Sequence, residues 1–465
     1  MSTLRFGDSS YMRRMDVQNL VEFLYNMLCV QVIGFSNVGK SSLLRLLAQP
    51  DVWTQEIGEA GQDYLAVYVD CNRMLEMSDH GFYELVLRCL IESGPELANL
   101  PELNEAYETL VAPASDFQIP LSFNQGLNAA LRHTPAKVAL LFDEFDEPFS
   151  QIDSRVFLNL RALRDRLTNK LVFVTATDTP LHTQRDGRHA TEFVELFAQH
   201  SWYLAPLTRP DVERLVHRYV QAYAVEFIAA DLDLIHEWAG GHPNLVEGVC
   251  TLLDQCLDAS DSVLSEPTAR WEIHARVIRA LRTDEHLNAE CNTIWLGCSD
   301  EEQQELVGLY DASHMPDQAV LAKLERRYLV KQVEGRAQPF CRLFSEFVRR
   351  RAVDNEVAVT LWVDMNRGDV LINGDPVEPL TNLEFKLISL LFQNTDRIVD
   401  KYQIVTEVWG EDYLDDVDDA RVEKLISRLR QKIEPDAGEP RFITTVRGRG
   451  YRLILGERNS DGVTG

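Results

Sequence analysis

Eight consecutive residues, Gly34-Phe35-Ser36-Asn37-Val38-Gly39-Lys40-Ser41, have the types and spacing needed to hold a polyphosphate. A glycine at each end lets the backbone turn tightly and aim its N–H groups at phosphate oxygens. Lys40 brings a mobile charge to the outer phosphates, and the Ser41 hydroxyl can ligate Mg2+. Asn37 and Val38 complete the cradle, and Ser42 continues into the next helix. About a hundred residues on, the apolar run Val138-Ala139-Leu140-Leu141-Phe142 ends in Asp143-Glu144. Such a strand can present Asp143 to the metal and Glu144 to an attacking water.

Other polar groups converge on the same chemistry. The strand Leu171-Val172-Phe173-Val174 exits through Thr175-Ala176-Thr177-Asp178, and a polar residue there would sit between the two motifs, near the terminal phosphate. Thr175 and Thr177 are the candidates. Further on, Ala239-Gly240-Gly241-His242-Pro243 predicts a sharp turn into a new helix.

The elements that must position these groups are legible around them. The octapeptide fits G-x-x-x-x-G-K-[ST], the P-loop, without mismatch, between a β-rich run (Cys29 to Ile33) and an amphipathic helix (Ser42 to Leu47). A helix N-terminus after a glycine-rich loop favours phosphate through its dipole and free N–H groups. Asp63 to Asp70 and Trp202 to Leu204 read as further strands. Strands alternating with helices imply a parallel sheet covered on both faces, with ligand at the strand C-termini. From Thr208 to about Leu281 the pattern is helical.

With 465 residues the chain has room for about three or four domains. Its 45% hydrophobic and 26% charged residues are ordinary for a soluble protein. No apolar run reaches the roughly 18 residues of a membrane span, and no signal layout opens the chain. Eight cysteines without a C-x-x-C pair read as reduced core thiols, so a cytoplasmic setting is expected. A net charge of −27 argues against a general nucleic-acid coat and makes any basic island informative.

One basic island exists. Residues 420–452 carry nine Lys/Arg against four Asp/Glu. Val422, Leu425, Ile426 and Leu429 repeat at i, i+3, i+4 and i+7, the buried stripe of a helix from about Ala420 to Ile433. Arg421, Lys424 and Arg428 share another face, which could enter a major groove. Thr381 to Glu384 is a capping box, Asp400 caps a second helix, and Phe442 to Arg452 reads as a β-hairpin projecting Arg447 and Arg449. Between these regions, Ser299 to Gln303 and Gln318 to Leu324 start helices. Tyr328 to Val333 with Pro339 to Phe344 predicts a β-wing.

Two resemblances follow from these motifs. The P-loop, the Asp143-Glu144 strand, the Thr175–Thr177 strand end, the Pro206-Leu207 exit and the Gly240-Gly241-His242-Pro243 turn together resemble an AAA+-related ATPase of the STAND/ORC-like group, over roughly residues 8–280. That likeness implies ATP or ADP with Mg2+ held by Ser41 and Asp143, and a nucleotide site that includes Gly34, His242 and Pro243, the proline against the adenine. It also implies that Arg14 lies in a base-binding segment, although Arg13 replaces the family's usual glycine. The segment 286–353 is similar to the winged helix that follows such cores. Leu380 to Phe385, Val408-Trp409-Gly410, Ile426 to Arg430 and Val446 to Tyr451 resemble the OmpR/PhoB-type winged-helix DNA-binding domain. By that likeness the 420–432 helix reads the major groove with Arg421, Lys424, Ser427 and Arg428, Thr445 meets phosphate, and Arg447 approaches the minor groove. The receiver domain usual in that family has no counterpart here, and the P-loop region stands in its place.

The expected fold is therefore multidomain: an α/β P-loop ATPase core with a parallel sheet (1–207), a helical lid (208–283), a middle winged helix (286–353), an OmpR/PhoB-type winged-helix domain (356–456) and a tail (457–465). The expected function is a nucleotide-switched transcriptional regulator with slow ATPase activity. Its expected partners are promoter or operator double-stranded DNA and further copies of itself on ATP binding, with no membrane. The alternatives are a DNA-remodelling or loader ATPase and a STAND-type signalling or defence scaffold.

Overall fold

In a computed structural model of the chain, residues 11–454 are described apart from 186, 260–266, 312–313, 357–360, 365–368, 373–374, 396, 411–418, 435–439, 441 and 447–448. The chain divides into two compact units, residues 1–352 and 353–465.

The first unit is built on five parallel strands: β1 (Val30–Ile33), β2 (Tyr64–Asp70), β3 (Lys137–Asp143), β4 (Leu171–Thr177) and β5 (Ser201–Tyr203). Their spatial order is β2-β3-β4-β1-β5. Every residue of β1 and β4 is buried, as the near-continuous apolar runs of covered parallel strands require. β4 extends through Thr175 and Thr177, so both threonines belong to the strand itself. Because β4 pairs with both β1 and β3, its C-terminal end lies between the P-loop and Asp143. Beneath β3 an aromatic cluster that includes Phe82, Phe142, Phe145, Phe157 and Phe193 fixes the strand end.

Helices Arg209–Tyr223, Ala229–Ala239, Pro243–Asp258 and Pro267–Leu281 follow the sheet. A buried polar knot joins Ala229–Ala239 to Pro267–Leu281. Asp231, fully buried, receives Arg270 through both carboxylate oxygens, His274 Nε2 at 2.7 Å and the Ile228 N–H at 2.7 Å. Helices Glu285–Leu296, Asp300–Gly308 and Gln318–Arg326 follow, with the hairpin β6 (Val330–Val333) and β7 (Arg336–Pro339), and the helix Arg342–Glu356 runs out of the unit at its end. The hairpin departs from the predicted wing. Glu334 and Gly335 both take positive φ, 51° and 76°, so the chain reverses in two residues. The returning strand ends at Pro339, and Arg342 to Phe344, expected as strand, open the final helix. The Arg349-Arg350-Arg351 run is engaged within the unit: Arg349 pairs with Glu346, Arg350 reaches the Arg282 carbonyl and Asn288, and Arg351 reaches Asn292 and stacks on Trp295.

The second unit opens on a three-stranded antiparallel sheet, β8 (Leu361–Asp364), β9 (Asp369–Ile372) and β10 (Asp375–Pro376). Helices Asn382–Gln393, Lys401–Val408 and Asp419–Ile433 follow, and the hairpin β11 (Ile443–Val446) and β12 (Gly450–Leu453) closes it. Thr381 and Glu384 form the expected capping box, and Asp400 accepts the Gln403 N–H at 2.7 Å. Leu387, Ile404, Val422, Ile426, Leu429 and Leu453 meet in a separate core.

Burial by itself would raise the Asp231 carboxyl; the bonds from His274 and Arg270 outweigh it and hold the group below the usual carboxylate value. Asp231→Ala strands a buried Arg270 and is expected to destabilise the first unit by about 3–5 kcal/mol in denaturant unfolding at neutral pH. Because the folded value is depressed, the wild-type contribution is present above about pH 4 and is lost as pH falls through the folded value.

Candidate functional site

The P-loop is shaped by its backbone. Asn37 and Gly39 take positive φ, 59° and 108°, and a Cβ on Gly34 would lie 2.7 Å from Val38 Cγ1. Lys40, 5% exposed, folds back to donate to the Gly34 carbonyl at 2.8 Å and forms an ion pair with Asp178. Asp178 also accepts the Ser36 hydroxyl at 3.1 Å. Asp178 follows β4 and was not among the expected site residues. Its signal in the sequence was its place directly after the threonine-rich strand end.

The acidic side of the site is fixed from β3. Asp143, 1% exposed, accepts the Tyr68 hydroxyl through Oδ2 at 2.6 Å, while its buried Oδ1 has no hydrogen-bond partner among the described residues. The buried Oγ1 atoms of Thr175 and Thr177 are likewise unpartnered there. Glu144 adopts φ 52° and is exposed. Partial burial pushes its carboxyl up, Lys40 draws it back, and Asp143 and Asp178 push it up again. Asp146 sits behind them: both its oxygens accept the Asp178 N–H at 3.1 Å, and Gln184 donates to it at 2.6 Å.

The turn at Gly240-Gly241 closes the other side. Gly241 has φ 84°, and a Cβ there would strike the Leu207 carbonyl at 2.2 Å. His242, fully buried, caps the helix by accepting the Leu245 N–H through Nδ1 and therefore donates from Nε2 to the Ser36 carbonyl at 3.0 Å. Burial keeps its imidazole below the usual histidine value. Phe35 stacks on His242 at 5.6 Å and meets Phe340 at 5.2 Å. Glu290 accepts Asn37 Nδ2 at 2.9 Å and Asn244 Nδ2 at 3.3 Å. Asn37, Gly39, Lys40, Ser41, Ser42, Glu144, Pro243 and Asn244 line a cavity of about 160 Å3.

Arg14 lies apart from these groups. Its side chain is 57% exposed and faces Glu56 at 3.6 Å. Arg13 is the arginine turned inward. It takes the left-handed conformation, φ 61°, that favours glycine, and donates to the carbonyls of Val38 and Ala205 and to Asp16. Arg185 donates to the Phe149 and Ile152 carbonyls of its own chain.

In the second unit the helix Asp419–Ile433 buries Val422, Leu425, Ile426 and Leu429, and exposes Arg421, Lys424, Ser427 and Arg428. Lys401 pairs with Asp419 at 2.7 Å and Glu423 at 3.2 Å, which offsets the acids on that helix. Arg430 holds the wing by donating to the Ile443 carbonyl at 3.1 Å and to Thr445 Oγ1 at 2.9 Å, so Thr445 already has an internal partner. Arg449 is exposed at the turn, whereas Arg447 lies outside the described residues.

Burial and then the neighbouring Asp178 carboxylate raise Asp146 to about 6. Its folded value exceeds the unfolded one, so its stabilising effect is complete below about pH 4 and is lost as pH rises through 6. Asp146→Asn is expected to match wild type in denaturant unfolding near pH 4 and to become more stable than it by up to about 2 kcal/mol by pH 8, allowing for solvent screening.

The model of the family described as "Transcriptional regulatory protein, C terminal" matches residues 375–453. The sensory transduction protein RegX3 of Mycolicibacterium smegmatis is 36% identical over 115 residues, 23% of this chain and 49% of that protein. The uncharacterized transcriptional regulatory protein YcbL of Bacillus subtilis is 40% identical over 93 residues, 20% of this chain and 40% of that protein. The chain thus spans half or less of the length of these relatives. Among solved structures, the DNA-binding domain of RstA from Klebsiella pneumoniae in complex with the RstA box is 32% identical over 20% of this chain and 91% of that one, with a TM-score of 0.19. The Walker-type ATPase of Pyrococcus abyssi is 12% identical over 75% of this chain and 99% of that one, with a TM-score of 0.44. From the family model, the curated relatives and its own helix-and-wing geometry, the C-terminal unit is a winged-helix DNA-binding domain of the OmpR/PhoB type, carried on a parallel-sheet α/β P-loop region.

Proposed function

We propose that the chain is a transcriptional regulator whose DNA-binding domain is controlled by a nucleotide bound at the P-loop. The observation that carries this reading is the grip of other elements on the loop itself. Asn37 is bound to Glu290, the Ser36 carbonyl to His242, and Phe35 is stacked on His242 and packed against Phe340. The cavity of about 160 Å3 lies well below the roughly 300 Å3 at which ligand pockets begin. In this reading a nucleoside triphosphate parts the loop from helices Pro243–Asp258 and Glu285–Leu296. Binding and repacking become one event, and a ligand shifts only an equilibrium whose states it binds differently.

In this reading residues 1–207 are the core, 208–283 the lid, 286–353 a middle winged helix that packs on the loop, 356–456 the DNA reader and 457–465 a tail. Gly34, Asn37, Val38, Gly39, Lys40, Ser41 and Ser42 cradle the phosphates, and Pro243 lies beside the base. Mg2+ fits the residues present, because Asp143 keeps a buried carboxylate oxygen without a hydrogen-bond partner among the described residues. Ser41 and Asp143 would hold the ion, which shields phosphate charge when bound. Glu144 orients water for slow hydrolysis that resets the switch.

At the other end, Arg421, Lys424, Ser427 and Arg428 present a donor-rich face for the major groove, with Arg447 and Arg449 at the wing. One small reader binds modestly, so copies pairing on direct repeats supply the remaining affinity. Promoter DNA and a cytoplasmic setting follow from this role. No helix among the described residues is long and apolar enough to cross a membrane.

Footprinting of the full chain with ADP and with a non-hydrolysable ATP analogue tests the control. Different affinity or stoichiometry is expected; identical protection in both states would defeat it. Arg428→Ala is expected to weaken binding by about 1–3 kcal/mol and relax sequence preference if it meets a base. If Lys424 meets phosphate, Lys424→Ala weakens all sequences alike and lowers the salt slope by about one.

A further inference from the structure

The ion pair between Lys40 and Asp178 suggests a property beyond simple binding. Lys40 is almost wholly buried, and Asp178 is the one carboxylate paired with it among the described residues. Asp178 Oδ2 meanwhile accepts the hydroxyl of Ser36, another P-loop residue. One anionic group thus takes both a loop lysine and a loop hydroxyl, donors of the kind a terminal phosphate uses. Its backbone is pinned at the same time, because the Asp178 N–H donates to both oxygens of Asp146, which Gln184 steadies. Asp178 is therefore held in place by its main chain while its carboxylate occupies the lysine.

Resting on the nucleotide reading above, we propose that Asp178 sets the choice between nucleoside di- and triphosphate, by competing with the terminal phosphate for Lys40. A diphosphate can lie on the loop N–H groups and leave the Lys40–Asp178 pair intact. A triphosphate brings further negative charge against Asp143, Glu144 and Asp178 and must take the lysine from the last of them. Like charges repel strongly in a partly buried site.

The chain after Asp178 borders open space. Residues Thr179, Pro180 and Thr183, directly after it, form one wall of a cavity of about 750 Å3 whose other wall includes Glu301, Ala322 and Arg326. This leaves room for the segment after Asp178 to shift when its pair with Lys40 is broken.

The test is calorimetric binding of ADP and of the imido-bridged ATP analogue, each with Mg2+, to full-length wild type, Asp178→Asn and Asp178→Ala. The two variants keep or delete the hydrogen-bonding side chain, and circular dichroism checks that each is folded. The expected result is wild type binding ADP at least as tightly as the analogue, with the analogue-to-ADP affinity ratio rising by about tenfold or more in both variants, the size of one charge-assisted bond. A ratio unchanged in both variants, or equal gains for the two nucleotides, overturns the proposal while leaving nucleotide binding intact. Absence of binding by wild type and variants alike overturns the nucleotide reading itself and this proposal with it.

Discussion

A buried ammonium group is the constraint around which the first unit is arranged. Lys40 has little contact with water, and a cation so placed must be compensated at short range. The Gly34 carbonyl and the Asp178 carboxylate provide that compensation. Asp178 can reach it only because β4 lies between the P-loop strand and the strand carrying Asp143. The sheet order is thus what places a carboxylate beside the lysine.

The same arrangement gathers acids that would otherwise avoid one another. Asp143, Glu144, Asp146 and Asp178 lie around one lysine, and two of them, Glu144 and Asp146, hold their protons more tightly than an ordinary carboxylate. Glu144 also takes a left-handed backbone conformation uncommon for its type. These features cost stability, because like charges crowded into a partly buried site disfavour their own ionised forms. The buried Asp143 Oδ1, without a hydrogen-bond partner among the described residues, adds to that cost.

The second unit solves a different electrostatic problem. A chain of net charge −27 must still approach DNA. Lys401 engages Asp419 and Glu423, the acids on the exposed side of the last helix, leaving Lys424 and Arg428 without an ion pair among the described residues. Other basic residues of the island are committed to architecture instead. Arg430 ties the helix to the wing through the Ile443 carbonyl, and Lys432 braces the Glu384 capping box at 2.8 Å. A count of basic residues therefore overstates the DNA-facing charge.

By itself the sequence determined the elements whose chemistry is local. The P-loop spacing, the apolar strand into Asp143, the helix start at Ser299, the capping box at Thr381, and the i, i+3, i+4 stripe of the last helix are short-range patterns, and each recurs in the structure. Tertiary structure decided what depended on distant partners. Arg13 and Arg14 are adjacent and identical in type, yet only the left-handed turn at Arg13 sends its guanidinium to Val38 and Ala205. Glu290 is an ordinary helix glutamate until the fold places it on Asn37. The pairing of Lys40 with Asp178 spans 138 positions, and it arises from strand order, which no local pattern encodes. Short-range periodicity records which face of an element is buried; the identity of what it is buried against belongs to the packed chain alone.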